Sequence, residues 1–85
     1  MVAKFRKKPV IVEALQWDPS TKEGVVEMLR FLPNPAFVGD TIQFKTRLGT
    51  MTAQRGDWII KGVGGEFYSC KPNIFEMTYE TVEEG

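Results

Sequence analysis

The segment Gly56-Asp57-Trp58-Ile59-Ile60-Lys61-Gly62-Val63-Gly64-Gly65-Glu66-Phe67-Tyr68-Ser69-Cys70-Lys71-Pro72 decides the fold. Trp58 to Lys61 is a short run of aromatic and β-branched residues, which reads as a strand. The glycines between Gly62 and Gly65 let the chain reverse. Glu66 to Cys70 then returns beside the first strand. Pro72 suits an early helical position, so Pro72 to Phe75 reads as one helical turn. Strands joined by tight turns pair antiparallel, because a parallel pair needs a long crossover.

The pattern continues on either side. Arg55-Gly56-Asp57 is a turn; it matches a tripeptide of cell-adhesion ligands, but a structural turn is the simpler reading. Thr41 to Thr46 alternates, with Ile42 and Phe44 on one face. Arg47-Leu48-Gly49 turns it into Thr50 to Ala53. Further back, Thr21 to Leu32 has helical spacing, with Val25, Met28, Leu29 and Leu32 as the buried stripe. Ser20 and Glu23 form a capping-box pattern at its start. Gly24 weakens the helix by about 1 kcal/mol relative to alanine, and Pro33-Asn34-Pro35 ends it.

Lys4 to Trp17 reads as the first strand region, with Val10, Val12 and Ala14 on one face and Ile11, Glu13 and Leu15 on the other. Pro9 has no amide hydrogen and belongs at the strand's start or on an edge. Thr78 to Val82 reads as a final strand. The expected fold is α+β: one domain over residues 1–85, with a mostly antiparallel sheet of five to six strands on one main helix and a short helical turn near the C-terminus. Phe5, Trp17, Phe37, Phe44, Trp58, Phe67, Phe75 and Tyr79 are the candidate core aromatics.

Bulk composition narrows the function. The chain has 85 residues, enough for one compact domain. With 42% hydrophobic and 26% charged residues it has ordinary globular composition. Formal net charge is zero, which disfavours a binder of duplex nucleic acid. The charge is uneven: Lys4, Arg6, Lys7 and Lys8 open the sequence, and Glu76, Glu80, Glu83 and Glu84 lie near its end. One cysteine, Cys70, allows no internal disulfide and fits a reducing compartment. No apolar run is long enough to span a bilayer, and no secretory signal pattern follows the basic residues. A cytoplasmic protein is expected.

Catalytic equipment is sparse. The chain has no histidine, hence no ordinary general base at neutral pH and no usual partner for a serine or cysteine nucleophile. With a single cysteine, thiolate and mixed zinc sites are excluded within one chain. Lys61-Gly62-Val63-Gly64-Gly65 lacks the spacing of either a P-loop or a dinucleotide fingerprint. The carboxylates Glu13, Asp18, Asp57, Glu66 and Glu76 have no spacing that selects an acid–base pair. Cys70 beside Lys71 reads as a small core residue before it reads as an activated thiol. No catalytic residue, metal or cofactor is expected.

What remains suits ligand binding. Lys61 and Glu66 are expected opposite each other near the hairpin turn, with Tyr68 on the same face as Glu66. Lys71 enters the helical turn, where backbone amides favour anions. Arg6, Lys7 and Trp17 extend the set. Aromatic rings stack on bases, and lysine or arginine holds phosphate. An exposed Lys61–Glu66 pair with no ligand role is the plainer alternative.

Four segments carry a resemblance that covers nearly the whole chain. Phe5-Arg6-Lys7-Lys8-Pro9-Val10, Glu13-Ala14-Leu15-Gln16-Trp17, Gly56-Asp57-Trp58-Ile59-Ile60-Lys61-Gly62-Val63 and Gly65-Glu66-Phe67-Tyr68-Ser69-Cys70-Lys71-Pro72 resemble a widespread family of small phage and prophage proteins. The last two segments are the specific ones. Members usually have proline where Ser69 stands, aspartate where Asn73 stands and often proline where Arg55 stands, so turn stiffness and a helix-start charge differ around Lys71.

The family is associated with phage anti-CBASS sponges, which bind cyclic dinucleotides in a tetrameric assembly and deprive a bacterial defence effector of its signal. The resemblance implies a homo-oligomer of tetrameric type that captures a 3',3'-cGAMP-like ligand without cleaving it in the infected host's cytoplasm. Residue chemistry then offers Trp17 or Tyr68 for base stacking, Arg6, Lys7, Lys61 or Lys71 for phosphate, and Glu66 or Thr52 for a base edge. The alternatives are a protein-interaction module, a small single-strand nucleic-acid binder and a carboxylate–metal enzyme.

Overall fold

The computed structural model describes residues 2–6 and 8–82. It is an α+β fold. Strands β1 (Glu13–Gln16), β2 (Ala36–Val38), β3 (Thr41–Thr46), β4 (Gly49–Ala53), β5 (Trp58–Lys61) and β6 (Phe67–Cys70) accompany helices α1 (Lys22–Phe31) and α2 (Pro72–Thr78). The strands divide into two antiparallel three-stranded sheets, ordered β1-β5-β6 and β2-β3-β4.

Alternation assigns the faces. In the first sheet Leu15, Ile59 and Phe67 look one way, toward α1 and the second sheet. There Trp17, Met28, Leu32, Ile42, Phe44, Ala53 and Ile59 form the buried core. The Phe31 ring of α1 meets Phe67 edge-on, with ring centres 5.6 Å apart. On the opposite face Trp58, Ile60 and Tyr68 lie beneath α2, whose Phe75 stacks on Trp58 at 4.1 Å. Tyr79 continues the stack at 5.0 Å from Phe75.

Turn chemistry fixes the registers. The β3–β4 hairpin closes with Arg47 and Leu48 between Thr46 and Gly49. The Thr46 hydroxyl donates to the Gly49 carbonyl and accepts from the Leu48 amide. At the next reversal the Asp57 amide donates to the Gln54 carbonyl at 3.0 Å. Gly56 sits in that turn at φ +90°, which a side chain disfavours.

Several expectations change. The first strand is confined to Glu13–Gln16, because β5 ends at Lys61, opposite Glu13, and the chain then turns away at Gly62. Residues 8–12 outrun their partner. The helix cap is Thr21, whose hydroxyl accepts from the Gly24 amide at 3.0 Å; Ser20 is held by the Asp18 carboxylate instead. Those two bonds from Ser20, side chain first, lower the Asp18 pKa. Leu29 is half exposed, and Phe31 packs inward in its place.

Gly24 is no mere weak point, since a Cβ there would collide with the Asp18 carbonyl oxygen. β2 has only three residues and directly follows Pro33-Asn34-Pro35, so it leaves no alternating run to read. The expected final strand is absent: Thr78 ends α2 and residues 79–82 form no strand. Phe5 is 93% exposed and is not core, and Phe37 is only partly covered, against Trp17.

Candidate functional site

Edge strands β6 and β4 run close together, where the Ser69 amide approaches the Met51 sulfur at 3.1 Å. Beyond that contact the β3–β4 hairpin tip stands away from β6 and leaves a groove of about 480 Å³. This volume falls within the usual range for small-molecule sites. Thr46, Arg47, Leu48 and Met51 line one side; Glu66, Phe67 and Tyr68 line the other. The walls are largely apolar, and Arg47 and Glu66 are the charged residues among those lining it.

Local geometry explains the polar groups. Gly62 N–H donates to the Glu66 carbonyl at 2.7 Å, so Glu66 lies opposite Gly62. The Glu66 carboxylate folds back over the turn into space that a Cβ on Gly62 or Gly64 would occupy. The glycines of this hairpin therefore make room for the carboxylate besides reversing the chain. The Tyr68 and Tyr79 hydroxyls lie 3.2 Å apart. Burial, then the bond to Tyr79 and nearby negative charge including Glu66, push the Tyr68 pKa up to about 12. At neutral pH Tyr68 is a neutral phenol, as it already would be at its ordinary value of 10.0.

The structure brings together two of the sequence-selected residues, Glu66 and Tyr68. The others lie elsewhere. Lys61 pairs across from Phe67 and Glu13, on the face opposite Tyr68, so it does not oppose Glu66. Thr52 alternates away from the groove-lining Met51. Arg6 is exposed in the leading segment, and Lys7 lies outside the described residues.

Trp17 is 1% exposed and its indole N–H donates to the Asp40 carbonyl at 2.8 Å. Its ring is a core element with no face open to a base. Lys71 points to Asp57, with Nζ 3.3 Å from Oδ2. Cys70 is partly buried. Among the described residues no three histidine, cysteine or acidic side chains gather to hold a metal ion, and no helix is long and apolar enough to cross a membrane.

Sequence reasoning missed Arg47, Leu48 and Met51. One signal was present: leucine is unusual in a two-residue hairpin turn, where glycine, asparagine and aspartate prevail. Leu48 is fully exposed there. Comparison with protein-family models, curated proteins and solved structures gives no match for the chain.

Proposed function

We propose that this protein captures a cyclic dinucleotide in the groove between the β3–β4 tip and β6, and holds it without cleaving it. The observation that carries this reading is the convergence of Arg47, Glu66 and Tyr68 on one groove with apolar walls. Arg47 supplies a cation for phosphate, Tyr68 a ring edge or face for a base, and Glu66 an acceptor for the N–H groups of a guanine edge. Leu48 and Met51 provide apolar contact. The groove holds no imidazole or gathered carboxylates, so binding rather than bond breaking suits its chemistry.

The resemblance to small phage proteins supplies the biological setting: a 3',3'-cGAMP-like signal sequestered in the cytoplasm of an infected bacterium, by a homo-oligomer. Calorimetry with a panel of cyclic dinucleotides tests the reading, with the nucleotide recovered afterwards by heating. Saturable heat and intact nucleotide are expected. No heat with any member, at concentrations well above micromolar, overturns it.

A second reading has one observation in its favour. Leu48 at the hairpin tip is fully exposed beside a largely apolar groove, and the two together offer apolar surface to a protein partner. An interaction module predicts retention of one host protein in stoichiometric amount and no response to nucleotides.

A further inference from the structure

Among the described residues β1 is an edge strand whose outward row of backbone groups pairs with no other strand. Residues 8–12 have the sequence of a strand but pair with no strand among the described residues. β5 stops opposite Glu13, so Val10, Ile11 and Val12 extend past the end of their own sheet. Their β-branched side chains favour extended structure. Yet Ile11 is 78% exposed and Phe5 is 93% exposed. Apolar side chains left open in this way mark a contact surface.

A second feature lies beside that edge. A groove of about 530 Å³ runs between β1 and α1, lined by Glu13 and Leu15 of the strand and by Glu27, Arg30 and Phe31 of the helix. Its floor is apolar and it holds two carboxylates against one guanidinium. The leading segment has the opposite character, with Lys4, Arg6 and Lys8 interleaved with Phe5.

We infer that residues 8–12 continue β1 and pair antiparallel, about a two-fold axis, with the same residues of a second copy of this chain. The arrangement is reciprocal. Each copy's Lys4, Arg6 and Lys8 lie along the other's open β1 edge and meet Glu13 and Glu27, with Phe5 toward the Leu15–Phe31 floor. A two-fold axis makes this complementarity count twice, which is how isologous interfaces form from one patch. Main-chain bonding along the edge supplies the ladder that β5 is too short to provide. Pro9, lacking an N–H, is tolerated on such an edge. This inference rests on the homo-oligomer of the proposed function, whose interface it names, and it requires no nucleotide ligand.

Sedimentation of the full chain, without nucleotide, tests it. The wild type is expected to sediment as a dimer or a multiple of one. Ile11→Asp is expected to shift it to monomer with an unchanged thermal melt of secondary structure, because Ile11 makes little contact within its own chain. The charge swap gives a second readout. Arg6→Glu or Glu27→Lys alone weakens self-association, while the two together restore it, and high salt weakens the wild-type assembly. A wild type that stays monomeric at its highest soluble concentration overturns the inference. So does an Ile11→Asp chain that assembles as before, or a charge swap that restores nothing.

Discussion

The Lys71 ammonium stands 3.3 Å from an Asp57 carboxylate oxygen that also accepts the Gln54 amide at 2.9 Å. Asp57 is 4% exposed, so its carboxylate is a buried tie between the Gln54–Asp57 turn and the start of α2. A residue chosen from sequence as a phosphate contact thus has a structural partner. Asp57→Ala is expected to cost about 1–2 kcal/mol, since it leaves the partly buried Gln54 amide without its carboxylate partner. Lys71→Ala is expected to cost less than about 1 kcal/mol, because the lysine is mostly exposed. Urea unfolding measures both, and Lys71→Ala should leave nucleotide affinity unchanged.

Gly24 gives a prediction whose sign opposes helix propensity. Alanine in mid-helix normally gains about 1 kcal/mol over glycine. Here the added methyl meets the Asp18 carbonyl oxygen, a backbone atom in the turn that carries the cap. Gly24→Ala is therefore expected to destabilise by about 1–3 kcal/mol, as overpacking does. A higher melting temperature for this variant would show that the turn moves aside without cost.

Trp17 separates core from site. Trp17→Phe removes the bond to the Asp40 carbonyl and part of a buried ring. A loss of about 2–3 kcal/mol is expected. Nucleotide affinity, measured where the variant remains folded, should match the wild type. A selective loss of affinity with full stability would place Trp17 in the site after all.

Tyr68 links packing to alkaline pH. Its pKa is raised from 10.0 to about 12, chiefly by burial and then by Tyr79. The folded chain holds this proton more tightly than the unfolded chain does. Its stabilising contribution is therefore complete below about pH 10 and is lost as pH rises through about 12. Tyrosinate absorbance should show one phenol titrating late. Tyr79→Phe should bring that titration to lower pH.

Much of the fold was legible from residues that act locally. Ile42 and Phe44 alternate, Trp58 to Lys61 forms an apolar run, and Gly56 and Gly65 mark turns whose φ is positive. What failed depended on distant partners. Val10 to Val12 have strand character, yet β5 ends before reaching them. Thr21 displaced Ser20 as the cap because Asp18 captured Ser20 first. For the site, Glu66 and Tyr68 were found because neighbouring residues on one strand share a face. Arg47 and Met51 come from another sheet, and only the approach of β4 to β6 brings them near.

The most direct measurement is an amide and side-chain chemical-shift titration of the full chain with 3',3'-cGAMP. Capture in the groove predicts saturable shifts concentrated at Thr46 to Met51 and Glu66 to Tyr68, abolished or weakened about tenfold or more by Arg47→Ala. Spectra that do not change, or shifts that gather around Lys71 and α2 while the hairpin tip stays still, would contradict it.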